Sequence, residues 1–219
     1  HSSGINIAGV DPKTGEEYVT MVLASIISGA GATKNMDGWH ACGPLCCFGG
    51  LSSGDIELLE YQYPIVIHKY GLAEDSGGAG YHRGGCGAVW EVEPINHTMT
   101  VVSFGEGRKI ATMGAGGALD IASDSKLGKL EIVKTDGHID CYKQNGIREI
   151  KPGERARNTN PGGGGFGLSF QRPIDQVIRD VKQGIVSIES AATEYGVVLN
   201  HNYEVDEAAT KQRRQPYAG

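Results

Sequence analysis

The chain has 219 residues, a net charge of −6 and a hydrophobic fraction of 39%. This length fits one domain or two small ones, because a typical domain has about 150 residues. The acidic balance gives no chain-wide attraction for nucleic acid or an anionic membrane. The longest apolar run, Tyr18–Ile27, is far shorter than the roughly 20 residues that span a bilayer. We therefore expect a globular protein with neither nucleic-acid nor membrane partners.

Glycine and cysteine are the unusual parts of the composition. The 34 glycines are about twice the usual share, which indicates many positions with positive φ or with close backbone approach. The five cysteines form an odd set without a visible signal peptide, which predicts reduced thiols and a cytoplasmic location. The first residue is His1 instead of Met, which is typical of a processed or partial chain or of a tag remnant.

The elements up to about residue 155 are predominantly strands. Asp11–Gly15 carries turn chemistry between two runs that favour strands, and Thr135–Gly137 does the same further along. Pro64 ends any helix that begins near Asp55. The predicted strands are 5–8, 18–22, 65–70, 88–92, 98–103, 129–133 and 138–142.

The last quarter is predicted to be helical. Ile174, Val177, Ile178 and Val181 share one helix face, and a glycine follows the helix at residue 184. Ser187 is suited to cap a second helix over 188–195, with a short strand at 197–199 and a polar tail, frayed or docked on a partner, from residue 204. The sequence thus predicts an α+β fold: a β-rich mixed-sheet domain over 1–203 with glycine-rich loops, a short C-terminal helical pair and a tail over 204–219.

A glycine run near the end of the strand region is one candidate binding element. Its amides, from Gly162, Gly163, Gly164 and Gly165, would suit an anion at the start of a helix. The spacing is not that of a phosphate-binding Walker loop, and no lysine follows. The alternative is a loop that passes close to another chain or backbone segment.

A cluster of histidine and cysteine forms a second candidate. His40, Cys42, Cys46 and Cys47 lie within eight residues, and imidazole with thiolates binds zinc. No second ligand pair follows at zinc-finger spacing, so buried thiols are the alternative, and a cysteine activated by His40 is another.

Asp75 and Arg83 flank a glycine-rich loop. A carboxylate and a guanidinium there would position a polar substrate or phosphate. The alternative is an ion pair that braces the loop. Residue chemistry alone leaves the function open at this point.

Several motifs, taken in order, resemble the hydantoinase B/oxoprolinase family. They include Asp75–Gly85, with its Asp-Ser-Gly-Gly-Ala-Gly start, and Asn160–Gly167, followed by Asp180-Val181 and Tyr195–Leu199. Gly9–Pro12, Gly29–Ala32 before Asp37-Gly38, Glu57–Glu60 and Tyr63-Pro64 fall in the expected order. The resemblance covers residues 4 to 200.

The resemblance implies a heteromeric enzyme of which this chain is the C-terminal part of one subunit. The family's metal-binding motifs belong to the missing N-terminal part, so we expect no metal in this chain. The implied partners are that N-terminal half, a hydantoinase A-like subunit that holds ATP and Mg, and a small third subunit. The substrate would be a small molecule whose carbonyl oxygen is activated by phosphorylation.

Two reactions fit the resemblance. One reaction is ATP-dependent opening of a cyclic amide such as hydantoin or oxoproline. The other is carboxylation of a ketone, as in acetone and acetophenone carboxylases. Two segments, the cysteine-rich Trp39–Gly50 and Met113–Leu127, differ from the family pattern, which leaves the substrate class open. The apolar, cysteine-rich segment tilts the expectation slightly towards a ketone.

The resemblance and the residue chemistry together predict the site residues. Asp37 and His40 would act at the reacting centre as a proton carrier or hydrogen-bond partner. Asp75, Arg83 and the glycine run at 162–165 would bind substrate or phosphate. A subunit interface is the alternative for the glycine run. Two other functions stay open: an assembly module without chemistry, and a zinc- or redox-responsive protein that uses residues 40–47.

Overall fold

The computed structural model describes residues 3–22, 25–43, 55–118 and 124–217. Within these ranges the chain forms nine strands and four α-helices, which confirms the α+β class. The strands are β1 (Ser3–Val10), β2 (Glu17–Met21), β3 (Ile65–Leu72), β4 (Ala88–Pro94), β5 (Met99–Gly105), β6 (Lys129–Val133), β7 (Ile139–Tyr142), β8 (Gly146–Ile150) and β9 (Arg155–Thr159). The helices are α1 (Ile56–Gln62), α2 (Ile174–Lys182), α3 (Ile188–Glu194) and α4 (Glu207–Arg214).

The strands form two sheets. One has the order β2-β1-β5-β8 and the other β3-β4-β9-β6-β7. All pairings between these strands are antiparallel, so the sheets are antiparallel rather than mixed. Parallel neighbours need a crossover of a dozen or more residues, usually a helix, and α1 is the one α-helix that precedes a strand of these sheets in the described ranges.

The sheet core lies between the two sheets. One sheet contributes Ile5 and Val101, and the other contributes Trp90 and Leu130, all at most 1% exposed. Strand β5 alternates buried and partly exposed residues, as a strand with one face on a core must. Aliphatic side chains fill most of this core, as the low aromatic content of the sequence indicates.

Both predicted hairpin turns are confirmed. Between β1 and β2, the Asp11 carboxylate accepts a hydrogen bond from the Lys13 amide at 2.7 Å, and Gly15 has φ +74°. Between β6 and β7, Gly137 has φ +86°, a value that glycine adopts without steric cost. The turns set the register of two hairpins whose strands the sequence also predicts.

The C-terminal helical pair is confirmed, and the tail is more structured than expected. Ser187 caps α3, with its hydroxyl oxygen accepting from the Ser190 amide at 3.0 Å. The predicted strand at 197–199 is a single bridge between Leu199 and Val205. The polar tail is not frayed: it forms α4, and Arg214 Nε donates to the Tyr195 carbonyl at 3.0 Å. The domain boundary at residue 203 stays a prediction.

The glycine-rich loops meet in one buried region, which we call the glycine layer. A Cβ atom on each of its glycines would overlap the backbone of another segment, so only glycine permits the chains to lie this close. The layer consists of Gly29, Gly38, Gly77, Gly78, Gly80, Gly84, Gly85, Gly87, Gly162, Gly163, Gly164 and Gly165.

The helices in the described ranges are short. The longest, α2, has nine residues, and none is long and apolar enough to cross a membrane.

Candidate functional site

The site is built on two loops that the glycine layer holds together. The first loop, residues 28–43, follows β2, and the second, residues 73–87, joins β3 to β4. The Gly38 amide donates to the Arg83 carbonyl at 2.7 Å, and the Gly85 amide donates to the Ala30 carbonyl at 2.9 Å. These bonds bring Asp37, His40 and Arg83 to one place, so three of the predicted site residues do lie together.

A fully buried arginine joins these loops to helix α2. Arg172 is 0% exposed and forms a two-pronged bond with Asp37, from Nη1 to Oδ1 at 2.8 Å and from Nη2 to Oδ2 at 2.7 Å. Its Nη2 also donates to Asp180 Oδ2 at 2.9 Å. Planar guanidinium groups suit this geometry, and the result ties the first loop to α2.

Arg83 completes what we call the ion cluster: Asp37, Arg83, Arg172 and Asp180. Its side chain is 6% exposed, and its Nε lies 3.4 Å from Asp180 Oδ2. Its Nη1 donates to the Gly84 carbonyl at 2.8 Å, and its amide donates to Asp37 Oδ1 at 2.8 Å. Two guanidinium groups therefore face two carboxylates, which offsets much of the cost of burying the charges.

Asp37 is an anion in this setting. Partial burial raises the pKa of its carboxyl, but the hydrogen bonds and charge of Arg172, together with the Arg83 amide and charge, outweigh burial and hold the pKa below the ordinary 3.8. Its role is therefore electrostatic and positional, because a carboxyl whose pKa lies below the ordinary value is a weak proton acceptor at neutral pH.

His40 is a neutral hydrogen-bond donor. Burial, together with the charge of Arg83, lowers the pKa of its ring below 6.5, against a smaller opposing effect of the carboxylates. The Cys86 amide donates to its Nδ1 at 2.9 Å, so this nitrogen carries no proton and the neutral ring has Nε2–H. Of the two roles predicted for His40, the geometry favours hydrogen-bond partner over proton carrier.

Within the described part of the chain, two hydrogen-bond donors, one on Arg83 and one on His40, meet without an acceptor between them. Arg83 Nη2 lies 3.3 Å from His40 Nε2, and in the neutral ring both atoms carry hydrogen, so neither can accept from the other. The side chain of Asp37 is 30% exposed beside them. An oxygen atom of a substrate or phosphate would satisfy both donors at once.

The other predicted binding residues lie elsewhere. Asp75 accepts from the Ser187 amide at 2.8 Å and has φ +59°, so it connects the second loop to the start of α3. Arg83 pairs with Asp180 and Asp37, so the alternative of an Asp75–Arg83 ion pair is wrong. The sequence alone did not indicate which of these aspartates pairs with Arg83.

The glycine run at 162–165 lies inside the glycine layer. All four residues are buried, and the Gly163 amide donates to the Gly85 carbonyl at 2.9 Å. The alternative of a loop that passes close to other backbone segments is thus what the structure shows. An anion-binding role for the run stays a prediction.

Among the described cysteines, Cys86 lacks the features of a reactive thiol. Cys86 is 0% exposed, and burial raises the pKa of its thiol. His40 is already engaged through Nδ1, and no group of three or more His, Cys, Asp or Glu in the described ranges could hold a metal ion. Cys46 and Cys47 lie outside the described residues, so that part of the zinc alternative is untested.

Sequence reasoning missed Arg172 and Asp180 as site residues. One signal was present: Asp180 follows Val177 by three positions, which puts a carboxylate beside the apolar face of α2, where it is 3% exposed. A buried carboxylate requires a cationic or hydrogen-bonding partner, but the sequence alone did not identify it.

The fold and the site's sequence motifs together define a class of protein: the chain belongs to the hydantoinase B/oxoprolinase family. The model of that family matches residues 1–169. The caprolactamase beta subunit of Pseudomonas jessenii is a relative that is 59% identical over 215 residues, which are 98% of this chain and 37% of the relative. The chain thus spans little more than a third of the length of that relative.

Solved structures agree with this assignment. The crystal structure of the ATP-dependent caprolactamase from Pseudomonas jessenii superposes with a TM-score of 0.87 at 51% identity, over 98% of this chain and 37% of that one. The nucleotide-free structure of acetone carboxylase superposes with a TM-score of 0.83 at 23% identity, over 99% of this chain and 32% of that one. At this identity, the second likeness concerns the fold alone.

Proposed function

We propose that this chain is the C-terminal part of the beta-type subunit of an ATP-dependent enzyme that opens a cyclic amide of the lactam class. The observation that carries the proposal is the 59% identity to the caprolactamase beta subunit over 98% of the chain. The cyclic-amide reaction is thereby preferred over ketone carboxylation, for which the likeness to acetone carboxylase supports only the shared fold.

In this proposal, the paired donors of His40 and Arg83 bind an oxygen of the activated substrate. A lactam is a poor electrophile, and phosphorylation of its carbonyl oxygen makes that oxygen a leaving group. Hydrogen-bond donors fixed before reaction stabilise negative charge that develops on such an oxygen. The Nε2–H of His40 and the Nη2 of Arg83, 3.3 Å apart, are held by the Cys86 amide and by Asp180, so they need little reorganisation.

The remaining components follow as part of the same proposal. An ATPase subunit of the hydantoinase A type would hold ATP and Mg, and the N-terminal remainder of the beta-type subunit would hold any divalent metal. A small third subunit and a cytoplasmic location complete it. Because His40 already accepts a hydrogen bond at Nδ1, the described residues of this chain suit oxygen binding better than metal binding.

The test is a comparison of substrates with the complete enzyme purified from its source. We expect caprolactam to stimulate ATP hydrolysis and to yield 6-aminohexanoate without added bicarbonate. ATP hydrolysis that requires a ketone together with bicarbonate would replace the proposal with the carboxylase alternative. ATP hydrolysis that no lactam stimulates would contradict the proposal.

A second candidate, an assembly module without chemistry, has its own support. Both carboxylates of the ion cluster accept hydrogen bonds within this chain, as they would in a purely structural brace. His40→Asn separates the two candidates, because asparagine can still accept from the Cys86 amide but removes the Nε2–H donor. Loss of about 100-fold in turnover with intact assembly supports the catalytic candidate, and unchanged turnover supports the assembly module.

A further inference from the structure

A cavity at the end of β5 lies among residues that the proposed function does not use. It has a volume of about 450 Å³ and is formed by residues 105–110, which begin at the last residue of β5, and residues 143–145, between β7 and β8. The Asn145 side-chain amide donates to the Gly105 carbonyl at 3.0 Å and joins the two walls. Cavities of this size are in the range that holds small molecules.

A buried arginine lines this cavity. Arg108 is 3% exposed, and its Nη2 donates to Asn158 Oδ1 at 3.1 Å. Its Nε and Nη1 have no hydrogen-bond partner among the described residues. Asn158 is uncharged, and burial lowers the pKa of the guanidinium to about 10, with no contribution from a carboxylate of the described residues.

Arg108 differs from the other buried arginines in lacking a carboxylate partner among the described residues. Arg83 and Arg172 each lie within 3.4 Å of an Asp180 oxygen and so have a carboxylate partner. A guanidinium buried without a counter-charge is costly, and buried charges in proteins are normally paired. The position of Arg108 therefore indicates that an acceptor with negative charge belongs beside it.

The charge of the cavity walls is consistent with such an acceptor. Lys109 and Lys143 line the cavity together with Arg108, against one acidic residue, Glu106. Among the described residues, the walls thus carry three cationic groups and one anionic group, which favours a ligand that is itself an anion.

We propose that this cavity is an oxyanion site, in which the guanidinium of Arg108 binds a phosphate or carboxylate group. Two sources share this chemistry: a small-molecule anion, and an acidic side chain from the remainder of the longer subunit. The proposal stands on Arg108 and its cavity and does not depend on the reaction proposed above.

The experiment uses the complete enzyme and inorganic phosphate or acetate as the probe. Binding is measured by equilibrium dialysis with labelled phosphate or acetate, and thermal stability is followed with each anion against chloride at equal ionic strength. The variants are Arg108→Gln and the milder Arg108→Lys, and Arg179→Gln, an exposed arginine of α2, is the matched control.

Each outcome decides the proposal. Saturable binding of about one anion per subunit, weakened at least 10-fold in Arg108→Gln or Arg108→Lys and unchanged in Arg179→Gln, supports a small-molecule anion. The second source, an acidic side chain of the longer subunit, is supported by a different result. In that case no anion binds, and a crystal structure of the longer subunit shows an Asp or Glu within 3.5 Å of Nε or Nη1 of Arg108. Equal binding in all variants would mean an adventitious ion only and would overturn the proposal. An Arg108 side chain that contacts neither a bound anion nor a carboxylate would overturn it as well.

Discussion

The sheet core and the glycine layer are both buried, but they are packed by opposite means. In the sheet core, side chains such as Leu130 and Trp90 fill the space between two sheets. In the glycine layer, backbone meets backbone, and a single added carbon at Gly163 would overlap the Ala30 carbonyl. The core is thus sensitive to lost atoms and the layer to added ones. Only the layer positions the ion cluster, because its hydrogen bonds join the two loops that carry Asp37 and Arg83.

The largest expected effect is that of one methyl group in the glycine layer. Gly163→Ala brings a Cβ into the backbone of Ala30 and Gly31, where no flexible side chain can move aside, so we expect loss of folded, soluble subunit. Gly31→Ala is the matched control, because its Cβ would have only an ordinary contact of 3.8 Å with the Gly164 carbonyl. The measurement is soluble yield and thermal unfolding of the assembled enzyme. Equal stability of the two variants would contradict the account of the layer.

A smaller effect is expected from removing atoms in the sheet core. Leu130→Ala leaves a cavity at a site that is 0% exposed and should destabilise the subunit by about 2–5 kcal/mol. Val19→Ala, at a position 79% exposed, should change stability by less than about 0.5 kcal/mol. Denaturant unfolding gives both values. A loss at Val19 as large as that at Leu130 would show that this face of β2 is covered by another part of the enzyme.

A third effect concerns the ion cluster that the layer positions. Asp37→Asn removes the charge opposite Arg172 and should cost about 1–3 kcal/mol. Because the folded pKa of Asp37 is lowered from 3.8, its stabilisation is fully present above that value and is lost as the pH falls through the folded pKa.

The pH dependence gives this third prediction its check. The difference in unfolding free energy between wild type and Asp37→Asn should be constant from pH 5 to pH 8 and shrink below the ordinary carboxyl pKa of 3.8. Asp175→Asn, which changes an exposed carboxylate on α2, is the control and should show little difference at any pH. A difference that stays constant down to pH 2 would contradict the role assigned to Asp37.

Local signals explain how much of the fold could be predicted. The turn residues Asp11 and Gly137, the cap Ser187 and the spacing of apolar residues in α2 act within a few positions, and the elements they predict are present. Strands β8 and β9 were missed because their sequences, Gly-Ile-Arg-Glu-Ile and Arg-Ala-Arg-Asn-Thr, lack an apolar alternation. Asn158 of β9 is buried, and its side-chain amide donates hydrogen bonds to the Asn160 side chain and to the Ser25 carbonyl. No local sequence pattern indicates these two contacts.

The candidate site could be predicted only in part, for a related reason. Asp37 and His40 were identified by their place after a glycine-rich loop, and Arg83 by its glycine neighbours. Their partners are distant in sequence: Asp37 and Arg172 are 135 residues apart. No spacing rule relates such positions, so the pairing of Arg83 with Asp180 instead of Asp75 required the fold.

The most direct test of the central claim, that His40 donates a hydrogen bond to the reacting oxygen, is the pH profile of kcat/KM for His40→Asn in the assembled enzyme. Since the pKa of His40 is below 6.5, the ring is neutral in the physiological range. We predict a uniform loss of about 100-fold between pH 6.5 and pH 8, with the shape of the profile kept and with no change in His138→Asn, an exposed control. A wild-type inflection in that range that disappears in His40→Asn would mean that His40 carries a proton, and an unchanged rate would mean that it does not touch the reaction.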